Sequence, residues 1–188
     1  SFSRDFLISQ NFGRTTTADF ADCLVHEEQL FQTLKKKKRR AGKTKRSLFF
    51  LNAHGRENLE RLCDITVLDK HSLVFLSETW LTPKKTSSLL SNKDFFCVPA
   101  QKKPKGRPYG GLELYVSRYL QTEQVSKSAH HIAVNVGSAS VIGVYYQPTV
   151  ELDEIISDLS TAISNCRNQN EIVIGGDINL HYGSADFI

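Results

Sequence analysis

Short apolar segments that each end beside a polar, oxygen-bearing residue recur along the sequence from residue 47 onwards. The segments are Ser47–Asn52, Ser72–Glu78, Ser140–Tyr146 and Glu171–Gly176, and Asp177 follows the last of them. Runs this short and this apolar are typical of buried β-strands. In sheets that pack against helices, ligands gather beyond the strand ends, where a rigid scaffold fixes the side chains. The sequence therefore predicts a domain of strands and helices with a polar site at one edge.

Helical spacing separates some of these runs. Apolar positions recur at i, i+3, i+4 and i+7 between Glu57 and about Asp69, which predicts one helix there, and again from Leu152 to Cys166. Mixed strands and helices in this order, with several hairpins, favour α/β sandwich layers over a simple Rossmann alternation. The remaining predicted strands are Asp94–Pro99, Gly111–Ser117 and Ile132–Val136, the last pairing with Ser140–Tyr146 as a hairpin.

The charge of the chain is concentrated in one segment. The net charge is +4, from 24 basic and 20 acidic residues, yet nine of the cations lie in Lys35–Arg46, which contains no acid. The rest of the chain has 15 basic and 20 acidic residues, a net charge of −5. Because like charges this dense repel each other, we expect residues 1–46 to form a flexible extension and 47–188 to form the domain. The run is either a solvated linker or a segment for nuclear import or phosphate contact.

Several classes of protein are disfavoured. No apolar run could cross a bilayer and no signal peptide opens the chain, so neither a membrane partner nor secretion is expected. The four cysteines lie far apart without a C-x-x-C pair, which indicates reduced residues rather than a zinc site or a disulfide framework. The chain contains no methionine and ends in the apolar run Asp186–Ile188, so we interpret it as a piece of a longer protein.

Three of the strand-end residues suit a hard cation. Asn52, Glu78 and Asp177 carry the oxygen ligands that Mg²⁺ prefers. Each one alone has a simpler interpretation, because a strand-end Asn or Asp often caps a turn, and Tyr146 before Gln147-Pro148 is compatible with packing. Their occurrence together, each at a strand end, favours a metal site.

Five ordered motifs between residues 47 and 188 resemble the endonuclease/exonuclease/phosphatase superfamily. The similarity is greatest to the apurinic-type endonuclease domain of LINE-type (non-LTR) retrotransposons, for which the E-T-W-L block, the G-R-P-x-G-G loop and the G-G-D-x-N strand end are the most specific matches. The motifs are Leu51-Asn52, Leu76–Leu81, Gly106–Gly111, Tyr146–Pro148 and Gly175–Asn179.

The resemblance implies a four-layer α/β/β/α sandwich and hydrolysis of phosphodiester bonds, with DNA as the partner that is nicked to prime reverse transcription. By motif match, Glu78 would hold Mg²⁺ or Mn²⁺ with Asn52 beside it, and Asp177 would orient and deprotonate the attacking water. Asn179 would hydrogen-bond the phosphate, and the phenol of Tyr146 would face the developing charge. Such a site supplies both the nucleophile and the charge neutralisation that this reaction needs.

A basic loop within the domain is a candidate for contact with DNA phosphates, although a solvated surface loop has the same composition. Its four cations are Lys102, Lys103, Lys105 and Arg107.

The sequence departs from the superfamily pattern in ways that affect function. Thr149 stands where the family usually has Asn, and the Ser-Asp-His strand that completes the family's site is absent before the last residue, Ile188. We therefore expect a truncated, incomplete sandwich that is inactive or very weakly active. Two alternatives remain, a catalytically dead nucleic-acid-binding or structural remnant and a phosphatase of the same superfamily. The phosphatase is disfavoured because Leu180-His181 follows the G-D-x-N motif in place of a basic residue.

Overall fold

A computed structural model of the chain describes residues 46–62, 64–167 and 171–179. These residues contain eight strands and three helices, joined by loops. The predicted N-terminal extension lies outside these residues except for Arg46, and so does His181. In chain order the elements are β1 (Leu48–Asn52), α1 (Arg56–Leu62), α2 (Ile65–Asp69), β2 (Leu73–Ser77), β3 (Lys93–Val98), β4 (Leu112–Ser117), β5 (Thr122–Lys127), β6 (His131–Val136), β7 (Ala139–Tyr145), α3 (Leu152–Ser164) and β8 (Ile172–Asp177).

The strands form two four-stranded sheets, ordered β1-β2-β4-β3 and β5-β6-β7-β8. Each sheet contains one parallel pair, β1 with β2 and β7 with β8, and the other pairs are antiparallel. The register places Asn52 opposite Ser77 in the first sheet and Tyr145 opposite Asp177 in the second. The carboxyl ends of the two parallel pairs therefore carry the residues that the sequence singled out.

The two sheets pack face to face around an apolar core, and two glycines let them approach closely at the parallel pairs. A Cβ atom at Gly143 would lie 2.1 Å from the ring of Phe75, and one at Gly175 would lie 2.4 Å from the ring of Phe50. No side chain other than hydrogen fits beneath these rings. Between the sheets lie Leu73, Phe75, Leu112, Leu114, Val116, Leu120, Ile132, Val134, Val136, Val141 and Tyr145.

Helices cover the outer faces of both sheets. Leu59 of α1 and Leu68 of α2 pack on the first sheet, while Ile155 and Ala162 of α3 pack on the second. None of the helices of the described residues is long and apolar enough to cross a membrane. The layers run helix, sheet, sheet, helix, which confirms the predicted four-layer α/β/β/α sandwich.

Two elements differ from the prediction. The single helix predicted from Glu57 to Asp69 is two helices, because the carboxylate of Asp64 accepts a hydrogen bond from the Thr66 N–H at 2.9 Å and caps a new helix there. Strand β5 was not predicted, since its sequence T-E-Q-V-S-K is polar and its side chains are half-buried or exposed.

Candidate active site

The polar residues at the ends of the two parallel pairs converge at one end of the sandwich. The Asn52 Nδ2 atom donates to the Asp177 Oδ2 atom at 3.3 Å, although 125 positions separate the two residues in the chain. Glu78 follows β2 directly, and the phenol of Tyr145 interacts with the carboxylates of both Glu78 and Asp177. The structure therefore brings together Asn52, Glu78 and Asp177, the three predicted oxygen ligands.

Backbone hydrogen bonds hold the segment Glu78–Trp80 from both sides. On one side, the N–H groups of Gly55 and Arg56 donate to carbonyls of this segment at 2.7 and 2.9 Å. On the other side, two N–H groups of the segment donate to the carbonyls of Gly110 and Gly111, at 3.0 and 3.2 Å. The β1–α1 loop and the G-R-P-Y-G-G loop thus fix the backbone that carries Glu78.

Backbone strain is concentrated at the same place. The positive φ angles of non-glycine residues among the described residues are 44° at His54, 53° at Glu78, 57° at Trp80 and 52° at Asn179. Each costs about 1–3 kcal/mol and persists only where surrounding contacts enforce it. All four follow the strand ends that carry the candidate residues, so local propensity has been overridden there.

Asp177 is held by its neighbours in one orientation. Its carboxylate accepts hydrogen bonds from the Asn52 side chain and, at 3.2 Å, from the Asn179 N–H. The Asn179 Nδ2 atom donates to the Tyr146 carbonyl at 2.9 Å, and the Tyr146 N–H donates to the Asp177 carbonyl at 3.0 Å. The backbone of Tyr146 thereby ties β7 to both polar residues of the G-G-D-x-N motif.

The phenol of Tyr146, in contrast, does not lie in this site. Side chains alternate along β7, so that Val141 and Tyr145 face the other sheet whereas Ile142 and Tyr146 face α3. The Tyr146 hydroxyl is fully buried and donates to the Asp158 Oδ2 atom of α3 at 2.7 Å. The phenol that lies near the Glu78 and Asp177 carboxylates is that of Tyr145, one residue earlier.

The environment of Tyr145 keeps its phenol protonated. Burial raises the pKa of Tyr145 well above its usual value, and the hydrogen bond to Glu78 and the negative charges of Glu78 and Asp177 raise the pKa further. At physiological pH the hydroxyl is therefore a neutral donor that helps to orient the Glu78 carboxylate. Tyr145 ends β7 and Tyr146 follows it, and only the alternation of side chains between the other sheet and α3 distinguishes the two tyrosines.

Asp158 anchors Tyr146 through a buried polar network. Its carboxylate accepts from the Tyr146 hydroxyl and lies 2.8 Å from His131 Nδ1, and the His131 ring also contacts Ser126 and Ser128. Burial alone would raise the pKa of Asp158, but the hydrogen bonds from His131, Tyr146 and Ser128 outweigh it and lower that pKa. The network lies behind the site and supports its backbone.

This network makes stability depend on pH. Asp158→Asn is expected to lower the free energy of unfolding by about 1–3 kcal/mol at pH 7, because an acceptor of two buried donors is replaced by an amide. A carboxyl whose folded pKa is depressed stabilises the fold above its unfolded pKa, and that contribution is lost as the pH falls below about 4. Denaturant unfolding between pH 7 and pH 3 should show the deficit shrinking. Asp153→Asn, an exposed change on the same helix, should have little effect, and a deficit that is constant over this range would contradict the assignment.

The basic loop is a closed hairpin beside the candidate site. Gln101 and Tyr109 exchange two backbone hydrogen bonds of 3.0 Å, which ties the ends of residues 101–109 together. The Lys103 Nζ atom lies 5.0 Å from the centre of the Tyr109 ring, and the Arg107 guanidinium lies 4.3 Å from the centre of the Trp80 ring. All four predicted phosphate-contacting residues are exposed, namely Lys102, Lys103, Lys105 and Arg107.

The residues present suit a hard divalent cation such as Mg²⁺ or Mn²⁺ better than a softer metal such as copper or zinc. Within the described ranges, no three His, Cys, Asp or Glu side chains are grouped so as to hold a metal. Mg²⁺ does not need such a group, because it takes one or two carboxylates and completes its shell with waters and substrate phosphate. Glu78 and Asp177 share one phenol as a neighbour, and Asn52 bonds Asp177, which is a donor set of that kind.

Comparison of the sequence with protein-family models and with curated proteins gives no match. The fold, however, is similar to solved structures. The 3′-5′ exonuclease NExo of Neisseria meningitidis has a TM-score of 0.51 at 17% identity, over 71% of this chain and 58% of that one. An AP endonuclease from Archaeoglobus fulgidus has a TM-score of 0.49 at 13% identity, over 69% of this chain and 55% of that one. The chain thus spans less than two thirds of the length of these proteins. It has the endonuclease/exonuclease/phosphatase fold.

Proposed function

We propose that residues 47–188 are the hydrolytic module of a divalent-metal-dependent nuclease that cuts a phosphodiester bond in DNA. The observation that carries this proposal is the convergence of Asn52, Glu78 and Asp177 from strand ends of two different sheets. Backbone hydrogen bonds on both sides hold this edge in place, although several of its residues have unfavourable φ angles. The fold supports a phosphoryl-transfer chemistry, and the motif resemblance supports the nuclease branch.

Each polar residue has a chemical role in such a reaction. Glu78 and Asn52 would hold Mg²⁺ or Mn²⁺, which when bound neutralises charge on the phosphate oxygens. Asp177, oriented by Asn52 and the Asn179 N–H, would orient the attacking water and accept its proton. An amide nitrogen carries two N–H donors, so Asn179 keeps one for a phosphate oxygen while the other remains on the Tyr146 carbonyl. Tyr145 would hold Glu78 as a neutral donor.

The basic hairpin supports DNA as the substrate. Its four cations are exposed, and Arg107 stands next to the segment that carries Glu78. Lysine and arginine contacts to phosphates supply the sequence-independent part of DNA affinity and set the register of the duplex. A hairpin at this position would hold the backbone of the DNA across the carboxylates.

The finer assignment is the target-site endonuclease of a LINE-type retrotransposon, acting in the nucleus. It is supported by the E-T-W-L block of residues 78–81, the G-R-P-Y-G-G loop of 106–111 and the G-G-D-I-N strand end of 175–179. The basic run Lys35–Arg46 would supply nuclear import.

The proposal is tested by nicking of supercoiled plasmid by the purified chain. Open-circular product should accumulate with Mg²⁺ or Mn²⁺ and stop on addition of EDTA, because charge on the phosphate would no longer be neutralised. Agarose-gel quantification over time, with a protein-free control, measures the rate. Nicking that continues in EDTA would contradict a metal-dependent mechanism.

A non-enzymatic nucleic-acid-binding protein is the second candidate, and the exposed hairpin favours it. This alternative predicts binding of an oligonucleotide that is unchanged by EDTA and by Asp177→Ala, with no nicking under any condition. Binding that is lost on deletion of Lys35–Arg46 would assign the affinity to that run rather than to the hairpin.

A further inference from the structure

Trp80 is the one tryptophan of the chain and contacts both parts of the candidate site. Its indole N–H donates to the Glu78 Oε2 atom. The Arg107 guanidinium lies over its ring, 4.3 Å from the ring centre. The ring packs closely against Gly55, where a Cβ atom would lie only 2.4 Å from it. This inference rests on the proposed function, since it concerns the residues that would bind the metal and the DNA.

The indole N–H acts on the orientation of Glu78. A carboxylate after a strand end can rotate freely unless donors hold it, and here the Trp80 indole and the Tyr145 phenol both engage it. Trp80 has the unfavourable φ of 57°, so its backbone is held in this conformation by surrounding contacts, such as the hydrogen bond of its N–H to the Gly110 carbonyl, rather than by local preference. Partners that orient a ligand from outside the metal shell raise its affinity for the metal.

The ring face acts on Arg107. An arginine on an exposed loop samples many rotamers, and a guanidinium stacked on an aromatic ring loses part of that freedom before it meets its ligand. The stacked group keeps its N–H edge available for phosphate oxygens. Lys103 on Tyr109 repeats the arrangement farther along the hairpin, at 5.0 Å.

We propose that Trp80 is a positioning residue with two separable functions: its N–H orients Glu78 for a divalent cation, and its ring face presents Arg107 to a DNA phosphate. The two functions use different atoms of one side chain. Substitutions can therefore separate them, which a residue that served only to stabilise the fold would not allow.

The test uses the full 188-residue chain and measures two affinities, neither of them catalytic. Trp80→Phe keeps a ring for Arg107 but removes the N–H, so Mn²⁺ should bind about 10–100-fold more weakly by calorimetry. Its affinity for a labelled oligonucleotide in EDTA, measured by fluorescence anisotropy, should stay within about twofold of the wild type. Arg107→Gln should give the reverse, with unchanged Mn²⁺ affinity and a salt dependence of DNA binding reduced by about one phosphate contact.

A measurement on the wild-type chain avoids any dependence on variant folding. With one tryptophan, the ¹H–¹⁵N spectrum contains a single indole resonance, which reports the bond to Glu78 directly. Adding Mg²⁺ should shift that resonance, and the shift should be absent in Glu78→Gln. An indole resonance that does not move in saturating Mg²⁺ would overturn the proposal.

The remaining outcomes distinguish a failure of the role of Trp80 from a failure of the proposed nuclease function. If the wild type binds Mn²⁺ and Trp80→Phe binds it equally tightly, the role of Trp80 is refuted while the proposed nuclease site stands. If the wild type binds no Mn²⁺, the proposed function itself fails. If Trp80→Phe loses both affinities together, Trp80 is a structural residue and the proposal is refuted.

Discussion

Asp177→Asn is expected to reduce plasmid nicking by about 10²–10⁴-fold. The substitution keeps the size and polarity of the side chain but removes its negative charge and its capacity to accept the water proton. Asn52 donates to Oδ2 and the Asn179 N–H donates to Oδ1, so the amide oxygen keeps one of these two hydrogen bonds. The fold should still be retained, because the backbone hydrogen bond between the Tyr146 N–H and the carbonyl of residue 177 is unchanged. Initial rates of nicking in Mg²⁺, with thermal unfolding of the same preparation, measure both quantities.

Two further variants show whether such a loss is specific to the candidate site. Glu78→Gln should lose nicking to a similar degree, because the strand-end carboxylate proposed for the cation is gone. Asp153→Asn, an exposed carboxylate on α3, should leave nicking unchanged. If Asp177→Asn and Glu78→Gln both nick DNA as fast as the wild type, the site assignment is wrong.

Arg56→Met is expected to lower the free energy of unfolding by about 3–5 kcal/mol at pH 7. Arg56 is buried and bonds Glu113 at 3.2 Å, Glu60 at 2.8 Å and the Ser87 carbonyl. Glu113 is 1% exposed, and its other oxygen accepts from the Tyr115 hydroxyl at 2.6 Å. Without Arg56 the charge of Glu113 would be buried with no cation beside it, which is far more costly than the loss of a surface pair.

The pH dependence identifies this cause. Burial raises the pKa of Glu113, while the hydrogen bond from Tyr115 and the charge of Arg56 oppose that rise. In Arg56→Met the folded pKa should rise further, so the folded state binds more protons than the unfolded state above about pH 4.5. Stability of the variant then falls as the pH rises through this window and recovers on acidification.

Two controls complete this test by denaturant unfolding. Adding Glu113→Gln to Arg56→Met should recover part of the lost stability at pH 7, because the unpaired buried charge is removed. Arg61→Met, an exposed arginine on the same helix, should change stability by no more than about 0.5 kcal/mol. A deficit in Arg56→Met that is equal at pH 5 and pH 8 would mean that lost packing, not the charge of Glu113, is responsible.

Much of the architecture follows from local pattern. Strands such as Leu73–Ser77 are buried on both faces, by a helix layer on one side and the other sheet on the other. A strand in that environment has a continuous apolar sequence, which can be recognised without the structure. The polar residues that interrupt such runs then mark the strand ends. For this reason Asn52, Glu78 and Asp177 could be predicted to lie together before any contact between them was known.

Burial and periodicity along the chain by themselves determined seven of the eight strands, the α/β sandwich class and the strand-end carboxylates, while the four layers were implied by the motif resemblance. Tertiary structure decided the rest. Which of Tyr145 and Tyr146 faces the carboxylates depends on what packs against each face of β7, the other sheet on one face and α3 on the opposite face. Two adjacent tyrosines carry no local signal of that choice. The polar strand β5 exists because β6 pairs with it. Likewise, Arg107 lies on Trp80 only because the strands bring a loop and a strand end 27 positions apart into contact, which no local periodicity encodes.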